Sequence, residues 1–410
     1  MERSIVFEVL YASMFENRKL DQTLLKYKNS DVRFNQVYNL TMGVARAHYQ
    51  MEAYLKSKAK GFLDPKALLI LEIATYELFF NTSAKAYAVI SEALKLAEAK
   101  KLFKFKKVIH GILSVVAKES TEGPLLLSKF PAFPRWMMEE ISKVFPDQVD
   151  QVVDQLTAPA PFFLSVNTLK ISPAELDKKL LEQDIKVENV ESNGVNTLVT
   201  FDKKILNTAE FIDGLFTIQD ISSQIAVKML TPFKGMNMLD LCSAPGGKAI
   251  TAAIMADDDC KIVSVDKSSA RLLRSHENIN RMKLKSISVV NSDVLELNET
   301  PHSFDLVMLD PPCSALGVSA RNPDTVWSKD SEVIKQLAAL QLQLLLKAME
   351  FTKKGGRLMY SVCTFTEAET VAVIHAALEK NKDYKKASDF VITMPASGMD
   401  GMFIAILERK

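Results

Sequence analysis

From about residue 235 onward, short apolar runs alternate with amphipathic helical stretches, and this rhythm constrains the fold more than any other feature. Strands are predicted at Met236–Leu241, Ile262–Val265, Ile287–Val290, Leu306–Leu309 and Arg357–Ser361. Helices are predicted near Lys248–Met255, Ala270–Met282, 332–351 and Glu367–Glu379, and strands Phe390–Thr393 and Met402–Leu407 close the chain. Strand–helix alternation implies a mostly parallel, doubly wound sheet. Such sheets bind ligands beyond the carboxyl ends of their strands.

The first 123 residues carry no strand pattern. Ile5, Val6, Val9, Leu10 and Met14 share one helical face, and Asp64-Pro65 reads as an N-cap followed by proline at the first helical position. Six of the 15 prolines fall between Pro124 and Pro161, which marks a connecting region, with a short helix near Met137–Val144. Residues 162–219 mix strand-like runs with a helix over Pro173–Glu182. The expected layout is therefore a helical part over 1–123, a connecting region and small α+β part over 124–220, and an α/β domain over 221–410.

The sharpest local signal is Asp240-Leu241-Cys242-Ser243-Ala244-Pro245-Gly246-Gly247-Lys248, a turn between a strand and a helix. Glycines there let a ligand approach the backbone, and the helix start offers free N–H groups. The spacing matches neither phosphate-binding nor dinucleotide glycine motifs. Carboxylates recur at later strand ends: Asp266, Asp293 and Asp310. An acid at the second strand end suits ribose hydroxyls. Without a phosphate motif, this favours an adenosine ligand lacking phosphates, and S-adenosyl-L-methionine fits.

Two of the four cysteines, Cys313 in Asp310-Pro311-Pro312-Cys313 and Cys363 in Tyr360-Ser361-Val362-Cys363-Thr364, follow strands whose ends meet at one sheet edge. Cys260 reads as a small buried hydrophobe, and Cys242 as a residue whose backbone matters more than its thiol. For Cys313 and Cys363 the pattern alone leaves a packing role and a chemical role equally open. No CxxC metal pair or disulfide framework is present, and no metal is expected.

LDLCSAPGGKA, LDPPCSALGV and YSVCT closely resemble motifs of the RsmB/NSUN RNA 5-methylcytosine methyltransferases. The Ile218–Gln224 segment, Asn322-Pro323-Asp324 with Trp327, and Asp400–Ala405 extend the likeness toward the bacterial RsmB branch. AYAVISEALKLAE resembles the NusB-like RNA-binding domain of that branch. The resemblance implies a multidomain protein: an all-α NusB-like N-terminal domain, a small α+β middle domain and an α/β Rossmann-like SAM-dependent methyltransferase domain. It implies methylation of carbon 5 of a cytidine in ribosomal RNA, 16S of the small subunit. Cys363 would be the nucleophile that adds to carbon 6, Cys313 would serve product release, and Asp310 would act as acid or charge partner. Cofactor contacts would come from Cys242, Ser243, Ala244, Pro245, Gly246, Gly247, Lys248, Asp266, Asp293 and Asp310. The alternatives are the same chemistry on tRNA or another rRNA, and a non-catalytic RNA-binding or ribosome-assembly protein.

Two departures from the family pattern stand out. Val362 occupies a position often held by Thr, and Leu164-Ser165-Val166-Asn167 lacks the family's arginine. In the helical part, His110 falls where the family has Asn and reads as a packing or surface residue, as do His48, His276, His302 and His375.

Charge supports an RNA partner once it is divided. The net charge is +1 overall, yet residues 1–130 carry 20 Lys and Arg against 13 Asp and Glu. Lys95, Lys100, Lys101, Lys104, Lys106 and Lys107 interleave with Phe103 and Phe105, a pattern suited to phosphate contact. The N-terminus has acidic residues where a signal peptide needs a basic start, and no apolar run is long enough for a membrane span. A cytoplasmic monomer without a membrane partner is expected.

Overall fold

The computed structural model describes all residues except 29, 82 and 394–397. The chain divides into two compact units. One comprises Met1–Ala158 and Ser319–Lys329, the other Pro159–Val318 and Asp330–Lys410.

The first unit is helical. Its main helices span Glu2–Phe15, Phe34–Lys58, Pro65–Phe80, Ala86–Ala99 and Lys106–Glu119. Asp64 caps the third of these by accepting from Lys66 N–H at 2.8 Å, as the Asp-Pro pair predicts. Val6, Leu10, Val44, Leu55, Leu71, Leu113 and Val116 form its dry interior. Proline content concealed one element: Val149–Thr157 is a helix that buries Val152 and Leu156, spaced i and i+4.

The segment Ser319–Lys329 belongs to this helical unit. Asp324 Oδ2 accepts from Leu20 N–H at 3.1 Å, and Ala320 carbonyl accepts from Arg46 Nε at 2.8 Å. Trp327 packs on the helical core and meets the His48 ring edge-on, centroids 5.8 Å apart. His48 is more than a packing residue, since its Nδ1 pairs with buried Glu72 at 3.1 Å. Burial alone would drain the proton from His48, but Glu72 outweighs it and holds the pKa above its ordinary value.

The second unit holds two sheets. The smaller has four strands, β1 (Phe162–Val166), β2 (Glu188–Ser192), β3 (Val195–Thr200) and β4 (Phe216–Ile218), in antiparallel order β2-β3-β1-β4. A helix over Pro173–Leu181 packs on it and opens with a reciprocal Ser172–Glu175 capping box. The amide nitrogen of Asn167, in the Leu164–Asn167 segment, is used internally. Asn167 is fully buried and donates to the carbonyls of Gly214 and Met282 at 3.2 Å.

The larger sheet contains β5 (Asn237–Leu241), β6 (Lys261–Asp266), β7 (Ile287–Asn291), β8 (Phe304–Leu309), β9 (Thr352–Val362), β10 (Tyr384–Lys386), β11 (Val391–Thr393) and β12 (Met402–Arg409). Its order is β10-β12-β9-β8-β5-β6-β7, with β11 paired to β12. Strands β5 to β9 run parallel, and β12 joins β9 antiparallel. The topological switch lies at β5, between β8 and β6, where a ligand crevice is expected. Leu239, Leu241, Val307, Leu309, Leu358 and Tyr360 are fully buried on one face, against the helix Ser331–Phe351.

One predicted helix is broken. Glu367–Glu379 resolves into a single 3-10 turn, Glu367–Glu369, and a separate helix, Val371–Lys380. The break turns the Glu369 side chain inward, where it is fully buried.

Candidate active site

The loop after β5 does what its glycines predict. Gly246 has φ +94°, and a Cβ on Gly247 would sit 3.3 Å from Gln219 Nε2. The helix Gly247–Met255 starts there. Loop, strand end and the Gln219 segment enclose a cavity of about 200 Å³, lined by Asp240, Cys242, Ser243, Ala244, Pro245, Gly247, Lys248 and Asp310, with Ile218, Gln219 and Ser223.

The predicted site residues divide by what their side chains do. Lys248 Nζ meets Asp310 Oδ2 at 2.5 Å, within a residue only 8% exposed. Burial disfavours the ammonium, but Asp310 and then Asp240 outweigh it and keep the lysine charged. Asp266 ends β6 and braces the loop: it accepts from Ala244 N–H at 3.2 Å and from Ser268 N–H at 2.9 Å. Arg271 adds a donor to the Ala244 carbonyl and lies 3.4 Å from Asp266. Asp293 lies away from the cavity lining and accepts from Leu295 N–H at 3.0 Å, closing its own turn. Cys242 has φ +58°, and burial, with Asp310 and Asp266 nearby, pushes its thiol up to about 12. That thiol stays protonated, consistent with a backbone role.

Buried polar atoms without partners mark what the cavity would bind. Among the described residues, both oxygens of Asp240, the Gln219 amide nitrogen and the Ser243 hydroxyl make no hydrogen bond. Burial pushes Asp240 up to about 7, against the pull of Lys248. An orphaned buried polar group costs about 1–3 kcal/mol, so four such atoms around one cavity call for a ligand with several donors and an acceptor. The hydroxyls, amine and carboxylate of S-adenosylmethionine meet that demand.

Cys313 and Cys363 converge. Cys313 Sγ and Cys363 Sγ lie 3.3 Å apart, both half-buried. The thiol contact from Cys313, then burial, holds the Cys363 pKa well above its ordinary value, while the Lys248 ammonium draws it down. Behind them, Gly317 N–H donates to the Cys363 carbonyl at 3.0 Å. A Cβ on Gly317 would fall 1.9 Å from the Gly401 carbonyl oxygen, so only glycine fits that close backbone approach.

Sequence reasoning missed two groups. Gln219 lines the cavity and accepts from the Thr251 hydroxyl. Glu369 anchors the floor beneath the cysteines. Its signal was available, because positions 369, 373 and 377 share a helical face whose other members are apolar.

The basic stretch is partly neutralised. Lys95, Lys100 and Lys106 pair with Glu92, Glu8 and Glu98. Lys101, Lys104 and Lys107 are exposed and have no acidic partner among the described residues. Phe103 is exposed, whereas Phe105 packs on the core. No helix among the described residues is long and apolar enough to cross a membrane, and no cluster of three or more metal-ligating side chains occurs among them.

Comparison with known proteins places this arrangement. A family model described as 16S rRNA methyltransferase RsmB/F matches residues 227–408. The RsmF/B-like ferredoxin-like domain matches 133–198, and the NusB family matches 1–118. Ribosomal RNA small subunit methyltransferase B of Erwinia tasmaniensis is 30% identical over 390 residues, covering 90% of this chain and 89% of its own. In fold, the chain is similar to the crystal structure of PH0851, with a TM-score of 0.80 at 20% identity over 100% of this chain and 99% of that one. It is also similar to NSun6 from Pyrococcus horikoshii, solved with SFG, with a TM-score of 0.60 at 20% identity over 68% of this chain and 98% of that one.

Proposed function

The chain belongs to the 16S rRNA methyltransferase RsmB/F family of S-adenosylmethionine-dependent enzymes, and we propose that it methylates carbon 5 of a cytidine in small-subunit rRNA through a covalent Cys363 adduct. The observation that carries this reading is the pair of thiols 3.3 Å apart at the edge of the sheet that also bears the Lys248–Asp310 pair. Three parts would divide the work: a NusB-like part over 1–123 and an α+β part over 124–220, whose residues up to Ala158 group with the helical unit, would hold RNA, and 221–410, apart from Ser319–Lys329 of that helical unit, would carry the chemistry.

When bound, S-adenosylmethionine supplies an electrophilic methyl group on a sulfonium. Asp240, Gln219, Ser243 and the 242–248 loop would hold it, with Asp266 bracing the loop. SFG in the NSun6 structure is an analogue of this cofactor, which supports the assignment.

Carbon 5 of cytosine is a weak nucleophile. The Cys363 thiolate forms a bond to carbon 6, and the π pair of the 5,6 double bond moves to carbon 5, which becomes enamine-like. Asp310 would stabilise the proton gained at the ring nitrogen, and Lys248 would keep Asp310 in place. After methylation a base takes the carbon 5 proton, for which Cys313 as thiolate would be in place, the C5–H electron pair restores the double bond, and the sulfur–carbon 6 pair returns to Cys363 as thiolate. Cys313 lies beside that sulfur and would serve the release step. The target base must be unpaired or flipped to reach the site.

Methylation mapping of rRNA and tRNA by bisulfite sequencing, in cells with and without the gene, tests the substrate. Loss of one 16S cytidine signal is expected. Loss at a tRNA site with rRNA intact would replace the rRNA reading.

A further inference from the structure

Glu369 lies outside the ligand cavity and has no part in the chemistry above, yet it is fully buried. Four donors lie within 3.0 Å of its carboxylate, and the Thr364 hydroxyl is a fifth at 3.5 Å. Ser314 gives its backbone N–H at 2.7 Å to Oε1 and its hydroxyl at 2.5 Å to Oε2. Gln341 Nε2 donates to Oε1 at 3.0 Å, and the Thr366 hydroxyl donates to Oε2 at 2.8 Å. Both carboxylate oxygens are thus hydrogen-bonded, by a backbone N–H, an amide N–H and hydroxyl groups. A buried carboxylate is tolerated only when paired or fully hydrogen-bonded, and here hydrogen bonds do that work.

The donors are not scattered. Ser314 follows Cys313, and Gln341 Nε2 also donates to the carbonyl of Pro312, which precedes Cys313, at 2.9 Å. Both neighbours of Cys313 are therefore held by one pair of side chains. The other cysteine is tied to the same hub. The Thr364 hydroxyl lies 2.8 Å from the Ser314 hydroxyl and 3.5 Å from Glu369 Oε2. Thr364 follows Cys363. Tyr360, three residues before Cys363, donates its hydroxyl to the Glu369 carbonyl at 2.7 Å and meets Gln341 Oε1 at 3.1 Å.

We infer that Glu369 is the positioning residue that sets Cys313 against Cys363, and so governs release of the methylated base rather than the initial attack. The inference rests on the reading of Cys363 as nucleophile and Cys313 as the releasing thiol. Its asymmetry follows from the geometry. Cys363 is fixed by its own strand, since Val362 is the last residue of β9 and pairs with Phe403 of β12. Cys313 sits on a loop whose immediate neighbours, Pro312 and Ser314, are held by Gln341 and Glu369. Loosening the hub therefore displaces Cys313 first.

Glu369→Gln keeps the shape but turns an amide donor toward a nest of donors. The test incubates full-length protein with 16S rRNA and labelled S-adenosylmethionine, and measures methylated free RNA and denaturant-resistant protein–RNA adduct at successive times. The expected result is a rise in the adduct-to-product ratio of about tenfold or more, the scale of one lost charge-assisted hydrogen bond, with the rate of adduct formation nearly unchanged. An equal loss of adduct formation and product would mean a purely structural role and overturn the inference. If Glu369→Gln does not fold, Gln341→Met removes the bonds to Pro312 and Glu369 and is expected to raise the same ratio; an unchanged ratio there overturns the inference too. Cys313→Ala, run in parallel, separates the layers. Adduct in Cys313→Ala but not in the hub variants refutes the role of Glu369 alone, whereas no adduct in Cys313→Ala refutes the underlying assignment.

Discussion

Lys248 reaches Asp310 across the mouth of the β5 loop, Nζ to Oδ2 at 2.5 Å, and so links the cofactor loop to the Asp-Pro-Pro-Cys turn. The pair gives the site its only buried cation among the described cavity residues. Lys248→Met would leave Asp310 and Asp240 without it. Breaking a buried pair on one side is costly, and with Asp310 partly exposed the expected loss is about 2–3 kcal/mol of unfolding free energy. Urea denaturation of purified protein checks this; an unchanged midpoint would show that the pair contributes no stability.

Cys363→Ala is expected to abolish methyl transfer to RNA, because no other thiol among the described residues lies within contact distance of Cys313. Cys313→Ala is expected to accumulate covalent protein–RNA adduct. Gel mobility under denaturing conditions distinguishes the two. Full activity in Cys363→Ala would remove it as nucleophile.

The neighbouring thiol raises the Cys363 pKa, with burial second. Thiolate at this position therefore increases with pH well beyond neutrality, and iodoacetamide labelling of Cys363 should rise correspondingly. Removing the first cause lowers the pKa. In Cys313→Ala the labelling profile should move toward lower pH, a shift readable by peptide mass spectrometry.

Asp240 is held at about 7 in the folded protein against an ordinary 3.8. Between these values the folded state binds the proton and the unfolded state does not. Stability from this group is present at acid pH and is lost as pH rises toward and past 7. Asp240→Asn mimics the protonated form at every pH. The melting temperature of the variant minus that of the wild type should thus grow from pH 5 to pH 8 in cofactor-free protein, and a flat difference would contradict the burial argument.

Among the described residues, Lys101, Lys104 and Lys107 are the members of the basic stretch without an acidic partner. Reversing all three to Glu should weaken RNA binding with little dependence on sequence and flatten the salt dependence of log K by about 0.7–0.9 per lost phosphate contact. Filter binding across a salt series reads both effects.

The main sheet was readable because short apolar runs and helical stretches alternate there with few competing signals. The β5 loop was readable because its glycines and following lysine admit few other uses. The small strand Tyr384–Lys386 was missed because YKK carries no apolar alternation; it forms because Tyr384, Lys385 and Lys386 find partners on β12. The helix Ile221–Leu230 was read only as a family segment, though Asp220 caps it through Ser222 N–H at 2.9 Å. The break at Glu369 was unreadable from local propensity, since Glu367, Ala368 and Glu369 favour helix and the β-branched Thr370 and Val371 lower that preference only by roughly tenths of a kcal/mol. Donors from Ser314, Gln341 and Thr366, all outside the turn, override that preference. The meeting of Cys313 and Cys363, 50 residues apart, followed from strand order, whereas their common anchor depended on hydroxyls that look ordinary in sequence.

The membership of Ser319–Lys329 in the helical unit bears on the order of events during synthesis. Trp327, Asp324 and Ala320 complete packing and hydrogen bonds begun by residues near the start of the chain. About 160 residues separate that segment from the end of the first stretch of its unit. At about 5–20 residues per second of translation, the helices wait some ten to thirty seconds for it. During that wait the Trp327 contacts of the His48 side are missing, so the nascent chain offers an apolar surface that the finished protein covers with its own later sequence.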